Sequence, residues 1–94
     1  MDIRHWVMMK HLDLLAKSKS VEILVKLRTQ KLKFAEIVEI TGNATTATRR
    51  LKEMSELGIV KREVQQDSSR TVIYELTEKG KRLASIAMEL KELE

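Results

Sequence analysis

The sequence predicts a mainly α-helical domain with one small β-hairpin, an α+β unit spanning residues 1–94. Apolar residues recur at helical spacing along most of the chain. Residues 59–76 alternate instead, on either side of a short polar loop, as a hairpin does. Between these patterns, Thr41-Gly42-Asn43 interrupts a helical run, so that two helices meet at a tight turn.

Residues 3–16 form the first expected helix. It is apolar over most of its circumference, and Arg4, His5, Lys10, His11 and Asp13 cannot shield so wide a surface. It either lies in a groove of its own domain or enters a dimer interface, and the second is favoured. Ile3, Trp6 and Val7 are its candidate interface residues. Trp6 is the one large rigid anchor, of a type enriched at interfaces, although a plain core role is the alternative. His5 and His11 stand six apart with no further ligand type near them, so no metal site is expected.

Ser18-Lys19-Ser20 punctuates the chain, and either serine can cap the next helix. That helix, over 21–28, turns Ile23, Leu24 and Leu27 inward. Residues 29–33 (TQKLK) are short and basic and suit a brief strand pairing with the later hairpin. A third helix over 34–40 carries Phe34, Ile37, Val38 and Ile40.

The fourth helix opens at Asn43, whose side-chain oxygen is placed to accept from backbone amides two or three residues on. Ala47, Leu51 and Met54 form its inner face. Its outer face, through Ala44, Thr45, Thr48, Arg49 and Lys52, holds no acidic residue between Asn43 and Lys52. Small residues, then hydroxyls, then cations can approach a phosphate backbone, bond to base edges and neutralise charge. Two helices joined by a Gly-containing turn match the DNA-binding helix-turn-helix.

The hairpin comprises 59–65 and 71–76 around Gln66-Asp67-Ser68-Ser69, with Arg62 and Arg70 flanking its ends. Such a ribbon beside a reading helix can reach a minor groove or phosphates, and a plain structural hairpin is the competing role. Thr77 is placed to cap a last helix over 78–93, with Glu78 at its positive end. Leu83, Ile86, Ala87, Leu90 and Leu93 recur along it at spacings of three and four. This is the pattern of a dimerisation helix, and folding back on its own core is the duller alternative.

Net charge is +4, and it is unevenly spread: residues 1–34 carry eight cations against three acids, whereas residues 83–94 carry one against three. A basic body suits a polyanion partner. The absence of Cys removes disulfides and thiolate metal sites, and neither a signal-peptide pattern nor a membrane-length apolar run is present. The expected setting is the cytoplasm, without membrane contact. TGNATTATRR lacks the second Gly and the Lys-Ser/Thr of a phosphate loop, and neither His is paired with a nucleophile, so no enzyme is expected. No cofactor and no small-molecule ligand are evident.

Helix, short strand, helix-turn-helix and hairpin together resemble a winged helix-turn-helix domain. TATRRLKEMSELGIVKRE followed by RTVIYELTEKGKRL is similar to prokaryotic transcriptional regulators of the MarR, PadR, HxlR and ArsR type. The shared pattern stands here as Leu51, Met54, Gly58, Ile59 and Val60, then Tyr74, Leu76, Thr77 and Gly80, and it covers roughly residues 20–83. The resemblance implies that Thr45, Thr46, Thr48 and Arg49 face the major groove of double-stranded DNA and that Arg62 and Arg70 are wing contacts.

Asn43, Ala44, Arg50 and Lys52 complete the expected DNA-binding set. The organisation implied is an N-terminal helix (1–17), a winged core (18–77) and a C-terminal, dimerising helix (78–94), acting as a homodimer. The metal-binding residues of some such regulators are missing, and effector sensing does not carry over. A non-specific DNA-coating protein and a winged-helix protein-interaction module are the rival functions.

Overall fold

The computed structural model describes residues 3–68 and 70–93. Its elements run α1 (Ile3–Ala16), α2 (Ser20–Thr29), β1 (Leu32–Lys33), α3 (Phe34–Thr41), α4 (Ala44–Glu56), β2 (Val60–Val64), β3 (Val72–Leu76) and α5 (Glu78–Glu92). The mainly helical architecture with a small hairpin is as the sequence predicts. The hairpin loop includes Ser69, which lies outside the described residues.

The brief strand expected near Leu32 is present. β1 pairs antiparallel with β3, and β3 pairs with β2, giving a three-stranded sheet of order β1-β3-β2. Val60 stands opposite Leu76, Arg62 opposite Tyr74 and Val64 opposite Val72. Residues facing each other in a ladder share one face of the sheet. Because Val60, Tyr74 and Leu76 are buried, this is the inner face.

Helix boundaries follow local chemistry. Glu36 reaches back to the Lys33 N–H at 2.9 Å and secures the start of α3. Gly42 ends that helix in the left-handed region (φ 89°), its N–H donating to the Val38 carbonyl at 2.8 Å. Asn43 Oδ1 then accepts from the Thr46 N–H at 2.8 Å, which caps α4. Thr77 caps α5 by accepting from the Gly80 N–H.

The start of α2 differs from expectation, since neither serine caps it. Lys19 holds the cap position with a left-handed φ of 69° and no side-chain bond, while Ser20 is buried inside the first turn with its hydroxyl unpaired. The chain turns between α1 and α2 over residues 17–19. Backbone bonds from Lys17 to Leu14 and from Ser20 to Lys17 close that turn instead.

One aliphatic core joins α2, α3, α4, the sheet and α5. Ile23, Leu24, Ile37, Met54 and Ile59 lie at its centre, fully enclosed. α2 packs along α5, and α3 against α4. The grouping of residues 83–93 into one interface stripe needs correction. Leu83 and Ala87, with Ala84, face inward and are buried (7% and 0% exposed for the first two). They are occupied by the core of their own chain and are removed from the candidate interface. Ile86 (50%), Leu90 and Leu93 (81%) lie on the outer side.

α1 meets this core only through its last turn, where Leu14 joins it and Leu15 packs against it. Leu14 is its one fully buried side chain. Ile3, Trp6 and Val7 are exposed as the interface reading requires, and Met8, Met9 and Leu12 join them. The Lys10 ammonium lies 5.0 Å from the centre of the Trp6 ring, a cation–π contact at the surface.

Candidate nucleic-acid interface

α4 is the element whose outer face carries the chemistry. Its inner side chains Ala47, Leu51 and Met54 are buried, which fixes the helix rotationally. With that face anchored, Ala44, Thr45, Thr48, Arg49 and Lys52 are all exposed. Their spacing places Thr45, Thr48, Arg49 and Lys52 along one strip. No acidic residue occupies the first turn, so the partial positive charge of the helix start is left uncompensated. Neither Arg49 nor Lys52 is ion-paired among the described residues.

Asn43 and Thr46 are placed differently from these. Asn43 is exposed, but its side-chain oxygen is committed to the Thr46 N–H, so its first role is to shape the helix start. Thr46 is half-buried. Arg50 is a clear departure from the expected DNA-facing set. Its Nε donates to the Ser18 carbonyl at 2.9 Å, its Nη1 lies 2.9 Å from Glu53 Oε1, and its side chain is only 14% exposed. It fastens α4 to the α1–α2 turn and does not join the open strip.

The hairpin brings a further cation to α4. Arg62 lies opposite Tyr74, in the middle of β2 and away from the tip. On the inner face it shares a cleft with Thr48, Lys52 and Ser55, floored by Phe34, Leu51 and Tyr74. Ser55 is absent from the sequence-based set, although its position seven residues after Thr48 puts it on the same strip. Arg70 sits at the hairpin loop with a left-handed φ of 50°, its N–H bonded to Asp67 Oδ1 at 2.9 Å. Thus Arg62 borders α4, whereas Arg70 marks the outer end of the hairpin.

On the other sheet face one carboxylate gathers two lysines. Glu75 pairs with Lys61 at 3.0 Å and Lys31 at 3.4 Å. The Lys61 hydrogen bond, aided by Lys31, holds the Glu75 carboxyl below its ordinary range. These two lysines are therefore partly neutralised, in contrast to Arg49 and Lys52.

Glu53 organises the back of α4. It pairs with Lys17 as well as Arg50. Burial alone raises its pKa, but the hydrogen bonds and charges of Lys17 and Arg50 together outweigh this and bring it below the usual carboxylate value. Among the described residues, no group of three His, Cys, Asp or Glu side chains is placed to hold a metal ion. No described helix is long and apolar enough to cross a membrane.

Known proteins share this fold. A family model described as HxlR-like helix-turn-helix matches residues 14–94. The HTH-type transcriptional regulator YvaP of Bacillus subtilis (strain 168) is 35% identical over 83 residues, which span 86% of this chain and 77% of YvaP. Among solved structures, the redox regulator HypR in its oxidised form superposes with a TM-score of 0.79 at 30% identity, covering 87% of each chain. Diamide-treated YodB from B. subtilis gives 0.74 at 33% identity, over 85% of this chain and 81% of YodB. The match begins in the last turn of α1 and takes in the capped α4, the hairpin and the Thr77–Gly80 start of α5: this chain belongs to the HxlR-like helix-turn-helix family of DNA-binding transcriptional regulators, which are not enzymes.

Proposed function

We propose that the chain acts as a homodimeric, sequence-specific regulator that reads double-stranded DNA in the cytoplasm. α4 enters the major groove, with Thr45, Thr48 and Arg49 toward base edges and Ala44 allowing close approach. Lys52 neutralises phosphate, and Arg62 follows it from the adjoining cleft. Arg70 reaches the flanking backbone or minor groove from the wing. The observation that carries this reading is the exposed, acid-free strip of α4, whose Arg49 and Lys52 are unpaired among the described residues.

The second half of the proposal rests on unpartnered apolar surface. Ile3, Trp6 and Val7 on α1, and Ile86, Leu90 and Leu93 on α5, are exposed in the single chain. Groups of exposed apolar side chains of this kind mark an interface. A second copy covers it and places two α4 helices on successive major grooves, about one helical turn apart. HypR is a redox regulator; residues 1–94 here contain no cysteine, so thiol chemistry has no part in the proposal.

A binding selection from random DNA, with the mass in solution measured alongside, tests both halves. Enrichment of a two-fold related motif by a dimer is the expected result. Salt-sensitive binding without any enriched motif would instead mean a DNA-coating protein. Absence of binding at low salt would mean a protein-interaction module.

A further inference from the structure

α1 and α4 are fastened to each other at one place. Between them a cleft lined by Trp6, Lys10, Asp13 and Glu56 keeps most of α1 away from the reading helix. Contact is made where α1 ends. Lys17 pairs with Glu53 of α4, and Arg50 of α4 donates to the carbonyl of Ser18 while also holding Glu53. Two consecutive residues of the turn are therefore tied to α4 by separate bonds. A single bond leaves a pivot, whereas a second attachment on the neighbouring residue restrains rotation about it. The turn is itself constrained, with Lys19 in the left-handed region.

We propose that the Lys17–Glu53–Arg50 cluster on Ser18 is the joint that fixes the angle between α1 and the reading helix, and through it the half-site spacing the dimer accepts. The inference rests on the dimeric reading above, in which α1 helps to join the two copies. α1 acts as a lever about this joint. From Leu14 to Ile3 the helix reaches about 16 Å, so a swing of about 12° at the joint displaces its far end by about 3.4 Å, roughly one base-pair step. Partly exposed ion pairs add little to stability, but a bond at the fulcrum of a lever has a geometric effect well beyond its strength. Lys17, Arg50 and Glu53 are in this sense positioning residues, and none of them needs to touch DNA.

The test is a selection from random DNA performed with the full chain and with Glu53→Gln and Lys17→Gln, folding being checked by circular dichroism. The expected result is one dominant spacer for the unmodified protein. The two variants keep the same half-site motif but accept spacers at least one base pair longer or shorter at comparable enrichment. The double variant should broaden the spacing no further than Glu53→Gln alone, because both lack the same Lys17–Glu53 pair. Lys17 is half-exposed, so Lys17→Gln carries the test if Glu53→Gln fails to fold. Folded variants with lowered melting temperature but the same single spacer would reduce the cluster to a stabilising contact and overturn the proposal. If the unmodified protein selects no paired half-sites, the dimeric reading fails first and the joint falls with it.

Discussion

Gly80 lies so close beneath Ile59 that a Cβ built on it would stand 2.0 Å from the Ile59 carbonyl oxygen. The same carbonyl accepts from the Thr77 N–H at 3.0 Å, and the Thr77 hydroxyl donates to the Gly58 carbonyl at 2.6 Å. The end of α4, the root of the wing and the start of α5 are thereby clasped together. Gly80→Ala must push backbone aside and should cost at least about 2 kcal/mol. Thr77→Val loses the cap and the hydroxyl bonds, at about 1–2 kcal/mol. Urea unfolding of both variants gives these values, and a Gly80→Ala variant as stable as the parent would contradict the packing described.

Adjacent arginines on α4 should behave oppositely. Arg49→Ala is expected to weaken binding to the selected DNA site more than about tenfold while leaving the melting temperature unchanged. Arg50→Ala removes bonds to Ser18 and Glu53 and should lower stability by about 1–2 kcal/mol. Its affinity for an isolated half-site should stay within about threefold. Fluorescence anisotropy and thermal melts on the same two preparations separate the roles. Equal loss of affinity in both would contradict the placement of Arg50.

Acid should loosen the back of α4 through Glu53. Its carboxyl titrates below the ordinary value of 4.5 in the folded chain. A group with a depressed folded pKa stabilises the protein above its unfolded pKa, and that contribution disappears as pH falls through the folded one. Glu53→Gln is therefore less stable than the parent at neutral pH, and the gap closes on acidification below 4.5. Melting temperatures taken across this range check the convergence. A gap independent of pH would mean that the charge on Glu53 contributes nothing.

The outer faces of α1 and α5 can be tested without touching the core. Trp6→Glu and Leu90→Glu alter exposed positions, so each should fold and shift the protein from dimer toward monomer in sedimentation velocity. Ala87→Glu places a charge in the buried face of α5 and should unfold the chain instead. A monomeric parent protein would remove the dimer from the reading altogether.

Much of this architecture is legible in the sequence because its determinants are local. Gly42 and Asn43 carry their own stop and start, and Thr77 carries a cap, within a span of about four residues each. The alternation after Gly58 also needs no distant partner to be read. What escapes is decided across the chain. Sequence groups Arg50 with its neighbours on α4 because its anchor, the Ser18 carbonyl, lies 32 residues away; the Glu53 three positions on is the one available hint.

Leu83 and Ala87 join Ile86 and Leu90 in the sequence pattern since all share the same spacing. Only the position of α2 against α5 divides that apolar arc into an inner and an outer half. Arg62 reads as a residue at the end of a hairpin until the register sets it opposite Tyr74.

Leu14, the one fully buried side chain of α1, has a consequence for how such a chain can diverge. Substitutions in the stretch before it meet almost no folding constraint, so that stretch is free to drift. On the proposed dimeric reading, two descendants of one gene can then lose the ability to pair with each other while still reading the same word of DNA. The same reading leaves the reverse equally open: changes at Thr45, Thr48 and Arg49, as the proposed base contacts, can alter the word and leave the choice of mate untouched.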